Sequence, residues 1–304
     1  MTARLLFCVF SFNRGRFLEH CVRSIEQSVP GADIAVFDDD SDDKATREVL
    51  QRLSDRHTVI QPGKESSHKL GGLYGNMQSA LEYGAEWPLV CFLQDDMQVV
   101  RAVTEEEIEG FDRCFEENPD LAFLHPCFLK GLNRERDRAT LEYQPSLRAY
   151  RRQDTRQSAG QYFSAILITR PLRLLEKNWQ FGRSEPDNDR QAREHFGRIA
   201  HLFAPFAMWL PAVPAYRGKR KTLALRLAEK YRPCGFFPYL MLDQQATEQL
   251  QRRPASQLPV AEDFLVCENR RLEKPWGYYP MQGSRWLKKL NSLELALRKL
   301  FAGR

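Results

Sequence analysis

Residues 32–43 read Ala32-Asp33-Ile34-Ala35-Val36-Phe37-Asp38-Asp39-Asp40-Ser41-Asp42-Asp43. A short apolar run stops abruptly at a cluster of carboxylates. Such a run is the signature of a strand buried on both faces, with the polar cluster at its carboxyl end. The same grammar repeats on either side. Leu5–Phe12 is an apolar run that meets Asn13-Arg14-Gly15, and Pro88–Leu93 is another, ended by Gln94-Asp95-Asp96. Helix-spaced segments lie between them: Arg16–Ser28, with Phe17, Cys21, Val22 and Ile25 on one face, then Ala45–Leu53 and Gly75–Tyr83. His57–Ile60 reads as a short strand. This alternation predicts an α/β fold with a mainly parallel central sheet flanked by helices. Ligands of such sheets bind beyond the carboxyl ends of the strands, where all three polar clusters fall.

The second half is less regular. Glu105–Phe115 reads as a helix, Leu121–Phe128 as a strand, and Lys130–Gln157 as polar loop and hairpin. Gln161–Thr169 reads as a strand, Pro171–Lys177 and Asp187–Phe196 as helices. From Tyr216 the chain reads as an extension, with a helix near Thr222–Tyr231, a proline-rich connector and an amphipathic helix from Ser284.

Charge divides the same way. The 304 residues carry 45 Lys+Arg and 40 Asp+Glu, a net +5, but residues 1–125 carry a net −11 and residues 126–304 a net +16. Ordinary apolar and charged contents of 42% and 28% argue against a mainly disordered chain. The N-terminus reads as a strand rather than a secretory signal, and Leu202–Ala215 is too short and proline-broken to span a membrane. Seven cysteines without a CxxC pair, and histidines without HExxH, favour reduced buried thiols over disulfides or a zinc site. A cytoplasmic protein is expected, with a peripheral position on the inner membrane face as the variant reading.

Acidic residues after a strand also serve as turn formers and helix caps, and Asp42 or Asp43 could do only that for the helix at Ala45. Carboxylates at a ligand-side edge can instead accept hydrogen bonds from a base or ribose. Asp95-Asp96 suits a hard divalent cation, held by one or two carboxylates together with substrate phosphates. Both clusters, with Asn13-Arg14 and the segment His68-Lys69-Leu70-Gly71-Gly72-Leu73-Tyr74-Gly75-Asn76, resemble glycosyltransferase family 2 of the GT-A nucleotide-sugar-binding fold. Order and spacing agree over residues 4–100. The resemblance implies an inverting transferase using a nucleotide-diphosphate sugar, a UDP-sugar first among the candidates, in polysaccharide biosynthesis. It implies that Asp38 or Asp39 contacts base and ribose, that Lys69, Asn13 and Arg14 lie near the nucleotide, and that Asp96, with Asp95 beside it, holds Mn2+ or Mg2+. Gln94-Asp95-Asp96-Met97 departs from a strict Asp-x-Asp, which leaves open which carboxylate is the ligand. It also implies a GT-A domain over 1–215, with a nucleotide-binding half (1–100) and an acceptor half (101–215). A basic extension follows over 216–304.

The resemblance further places a catalytic base in Arg183-Ser184-Glu185-Pro186-Asp187-Asn188-Asp189-Arg190, at the start of a late helix. Asp189 is favoured, with Asp187 and Glu185 as the other candidates. The same residues would suit a capped helix start. The final helix carries an apolar stripe at 286, 290, 293, 297 and 300–301 beside a basic face. It could lie on an anionic membrane near a lipid-linked or glycan acceptor. Packing of the stripe on the core or on a second subunit, as in a homodimer, is the preferred reading. A nucleotidyltransferase of related fold is the alternative enzyme. A nucleic-acid binder fits poorly, because no reading motif accompanies the basic residues and the acidic half would repel phosphates. No GxGxxG or GxxxxGK[ST] occurs.

Overall fold

The computed structural model describes residues 4–61, 72–153, 160–214 and 221–302, without the side chains of 299–302. Its strands are β1 (Leu5–Ser11), β2 (Asp33–Asp38), β3 (Thr58–Ile60), β4 (Leu89–Gln94), β5 (Met97–Val99), β6 (Leu124–His125), β7 (Leu141–Gln144), β8 (Ala149–Arg152), β9 (Leu167–Thr169), β10 (Ala200–Leu202) and β11 (Ala207–Trp209). Its helices are α1 (Gly15–Ser28), α2 (Lys44–Ser54), α3 (Gly72–Tyr83), α4 (Glu105–Glu117), α5 (Arg134–Thr140), α6 (Pro171–Leu175), α7 (Glu185–His195), α8 (Leu223–Tyr231), α9 (Gln244–Arg252), α10 (Ala261–Phe264) and α11 (Arg285–Ala302).

Among the described residues nine strands form one sheet in the order β3-β2-β1-β4-β9-β6-β10-β8-β7, and β5 pairs with β11 in a small second sheet. β1 pairs in parallel with β2 and β4, β2 with β3, and β6 with β10. Only β8 and β9 run against the other seven strands of the large sheet. The fold is therefore mixed α/β with a mostly parallel central sheet.

The apolar runs have a direct cause. Successive strand side chains point to opposite faces. Leu5, Phe7 and Val9 enter one core with Val36, Leu89, Cys91 and Leu93, on the side of α1 and α2. Leu6, Cys8 and Phe10 enter the other with Ala35, Phe37, Val90 and Phe92, on the side of α3. Both faces are dry, so neither parity tolerates a polar residue. All seven cysteines are free thiols.

Three expectations need correction. The strand expected over Leu121–Phe128 shrinks to Leu124–His125, because Pro126 has no N–H to donate. Its carbonyl accepts instead from Phe206 and Ala207, and the chain crosses toward β11. The strand expected over Gln161–Thr169 shrinks to Leu167–Thr169. The backbone N–H groups of Gly160, Tyr162 and Phe163 donate to Asp189 Oδ1 at 3.0, 2.8 and 3.1 Å rather than to a neighbouring strand.

The third correction is partial and concerns α11. Its side toward α8 mixes apolar and polar contacts: Leu290 of the expected stripe packs there with Leu287 against Ala224 and Ala228, Asn291 accepts from Thr222 Oγ1 at 2.7 Å, and Glu294 accepts from the backbone N–H of Leu223 at 2.6 Å. Leu287 is buried there, but Trp286, Leu293 and Leu297 of the expected packing stripe stay exposed. Upstream of α11, residues past 221 do enter the main core, where Tyr239, Cys267 and Trp276 are buried.

Phe92 is fully buried and meets Phe10 edge-on at 5.2 Å. Phe92→Ala is expected to lower unfolding free energy by about 3–5 kcal/mol, read by denaturant titration. Asp189→Ala is expected to cost about 3 kcal/mol by stranding three N–H donors. Asp189→Asn, which keeps an acceptor oxygen, should cost clearly less.

Candidate active site

The register brings the polar clusters together. Phe10 is opposite both Phe37 and Gln94, and the chain beyond stays tied: Asp39 N–H donates to the Ser11 carbonyl and Asp95 N–H to the Phe10 carbonyl, both at 2.9 Å. Asn13-Arg14, Asp38–Asp43 and Asp95-Asp96 therefore share the carboxyl edge of β1, β2 and β4.

Several of these side chains build the edge itself. Asn13 holds a left-handed backbone at φ 51°, tolerable for Asn. Its amide donates to Asp42 Oδ1 at 2.7 Å, and its Oδ1 accepts from the N–H of Asp42 and of Asp43. Asp38 is fully buried and accepts from Ser41 N–H and Ser41 Oγ at 2.8 and 2.6 Å. Asp43 caps α2 by accepting from Thr46 N–H. These contacts fold the acidic turn, and they narrow the expectation for Asp38 or Asp39 to Asp39. Asp39 is half-buried beside the start of α3, where a Cβ on Gly72 would stand 1.8 Å from its Oδ2. That contact accounts for glycine at position 72. Burial raises the Asp39 carboxyl pKa, and the Asp38 and Asp40 charges add to it. Lys69 lies outside the described residues.

Arg14 joins the other pair. Its Nη1 donates to Asp96 Oδ2 at 2.8 Å and to Asp95 Oδ1 at 3.2 Å. Asp95 Oδ2 also accepts from Phe12 N–H at 3.2 Å. Burial drives the Asp95 carboxyl up, against the pull of the Arg14 guanidinium. Asp96 Oδ1 is buried without a hydrogen-bond partner. A hard oxygen acceptor left unsatisfied beside a second carboxylate fits a divalent cation completed by substrate oxygens. No cluster of three or more His, Cys, Asp or Glu arranged for a metal occurs among the described residues.

Across the site, the stretch 183–190 opens α7. Ser184 Oγ accepts from Asp187 N–H, and donates to Asp187 Oδ2 at 2.6 Å. Asp189 is buried, and its Oδ1 accepts from three backbone N–H groups, which gives this carboxylate a structural role. Glu185 differs. It stands at the rim of a cavity of about 170 Å3 that His125, Arg136, Arg152, Ser164 and His201 also line. Desolvation raises its carboxyl pKa, the Asp189 charge adds, and Lys130 opposes. His125 and His201 lie side by side, ring centroids 5.0 Å apart, and burial holds both below the ordinary imidazole pKa.

Lys130 was not singled out in the sequence. Its ammonium sits 3.8 Å from the Trp209 ring centroid and 5.0 Å from that of Tyr278, a cation–π seat. Burial lowers its pKa, while the charges of Asp96 and Glu185 both raise it. The lysine thus feels the charges of Asp96, just beyond β4, and of Glu185 in α7 together. The one available signal was position: a charged residue directly after the apolar run 121–129.

No family model and no curated protein matches the chain. Among solved structures it is similar to Staphylococcus aureus TarS, at 16% identity and TM-score 0.46, over 67% of this chain and 36% of that one. It is also similar to TarS 1–349 in complex with UDP, at 17% identity and TM-score 0.43, over 67% and 59%. The mannosyltransferase PcManGT from Pyrobaculum calidifontis, in complex with GDP-Man and Mn2+, matches at 12% identity and TM-score 0.45, over 98% and 75%. The chain thus spans little more than a third of the TarS structure and about three fifths of its 1–349 portion. At this level of similarity the neighbours assign the chain neither a family nor an activity.

Proposed function

We propose that the chain is an inverting glycosyltransferase that moves a sugar from a nucleotide-diphosphate donor to an acceptor hydroxyl. The observation that carries this reading is the Asp95-Asp96 pair with its unsatisfied oxygen, together with Glu185 at a polar cavity; Lys130 feels the charges of both Asp96 and Glu185. Asp39, at the edge of the acidic turn, lies where a ribose or base would bind beyond β2. Asp96, with Asp95 beside it, would hold Mn2+ or Mg2+, which when bound offsets negative charge on the diphosphate.

Glu185 acts as the base. It accepts the proton of the acceptor hydroxyl while that oxygen forms its bond to the anomeric carbon. The bond from that carbon to the diphosphate oxygen breaks in the same displacement, and the nucleoside diphosphate leaves with the electron pair. A raised carboxyl pKa makes Glu185 a stronger base than an unperturbed glutamate. Lys130, shielded by Trp209 and Tyr278, adds fixed positive charge between proton acceptor and leaving group. The cavity suits a glycan or lipid-linked hydroxyl, since polar side chains dominate its lining.

Thermal-shift titration with UDP, GDP, CDP and TDP, each with and without Mn2+, is expected to show metal-dependent stabilisation by one of them. Asp96→Ala should remove the metal-dependent part. A flat response to all four nucleotides would sink the proposal. Glu185→Gln is expected to lower kcat by at least ~100-fold while leaving the nucleotide-induced shift intact. The base must be ionised, so wild-type kcat/KM should fall as pH drops through the raised Glu185 pKa. If the residual activity of the Gln variant keeps that acid limb, another group is the base.

A further inference from the structure

The exposed side of the α8–α11 pair has a composition that its packing does not explain. Trp286, Leu293 and Leu297 are 61%, 59% and 45% exposed. Their spacing of seven and four residues puts them on one face of α11. Leu223, whose N–H donates to Glu294, is exposed next to them at the start of α8. Leu287 and Leu290 already give α11 an apolar contact with Ala224 and Ala228 of α8, so Trp286, Leu293 and Leu297 form a second apolar face that this packing leaves uncovered.

Charge on the same pair is equally one-sided. Arg226, Lys230, Arg285, Lys288 and Lys289 are exposed. The two acidic residues of these helices are drawn into ion pairs, Glu229 with Lys221 at 2.7 Å and Glu294 with Arg298 at 2.6 Å. Outward-facing side chains are thus apolar or basic. A second copy would bring like charges together. A negatively charged lipid surface instead accepts apolar side chains among its acyl chains and basic ones at its headgroups. Among the described residues no helix is long and apolar enough to cross a membrane, so α11 would lie along the surface.

We infer that α11, supported by α8, is a docking surface for an anionic membrane. The surface is connected to the candidate active site. Tyr278 is 5.0 Å from the Lys130 ammonium, and α11 begins seven residues later, within about 25 Å of chain. The inference rests on exposure and charge alone and stands whether or not the chain transfers sugars.

The test is co-sedimentation of the full chain with vesicles of phosphatidylcholine alone or mixed with phosphatidylglycerol. Binding is expected only to the mixed vesicles, and should weaken as salt screens the basic residues. The triple variant Trp286→Ser, Leu293→Ser, Leu297→Ser should bind at least roughly tenfold more weakly. Its melting temperature should match the parent's, since the replaced side chains are exposed. Lys288→Gln with Lys289→Gln should weaken binding and flatten its salt dependence. Absence of binding to anionic vesicles, or equal binding by the triple variant, overturns the inference. So does a dimer in analytical ultracentrifugation that the triple variant abolishes while vesicles are ignored, because the face would then belong to a second copy. The nucleotide thermal shift should be the same in parent and variants, which keeps this outcome separate from the fate of the catalytic proposal.

Discussion

Burial of β1 and β4 on both faces is the constraint from which the rest follows. Each strand feeds alternate side chains into two separate cores, so no polar side chain fits along its length without an unpaired group in a dry environment. Polar chemistry is displaced to the strand ends. Parallel pairing of β1 with β2 and β4 then sets those ends at one level. A run of hydrophobic residues and a cluster of carboxylates are two consequences of one packing requirement.

The gathered carboxylates create an electrostatic problem of their own. Asp95 is buried, and the Arg14 guanidinium bridges it to Asp96 through one shared nitrogen. A guanidinium is well suited to this task because it remains protonated when buried. One Asp96 oxygen is still unsatisfied. Lys130 approaches from the basic half of the sequence and couples this pair to Glu185. Lys130 of the basic half thus feels the charge of Asp96 in the acidic half.

Much of the first half was legible from the sequence. The strands at 5–11, 33–38 and 89–94, and the helices between them, fall within a few residues of their expected bounds, because apolar periodicity records burial directly. The later strands were not legible. Asp189 draws off three backbone N–H groups ahead of β9, and Pro126 ends β6, so apolar stretches that look like long strands form only two or three residues of ladder. α11 was legible only in part. Leu290 of its apolar stripe packs on α8 beside Leu287, but hydrogen bonds from Thr222 and Leu223 fix the helix so that Trp286, Leu293 and Leu297 stay exposed.

By itself the sequence determined the sheet class and the edge at which polar residues gather, since each depends on local pattern and chain order. Only the tertiary structure decided what surrounds each carboxylate. Asp38, Asp39, Glu185 and Asp189 are alike as letters and differ in their neighbours: Asp38 accepts from Ser41 and one oxygen of Asp189 from three backbone N–H groups, whereas Asp39 borders the edge and Glu185 the cavity. Lys130 likewise gains its place from Trp209 and Tyr278, residues 79 and 148 positions away. Hydrogen-bond partners and desolvation are properties of neighbours in space, and no spacing along the chain encodes them.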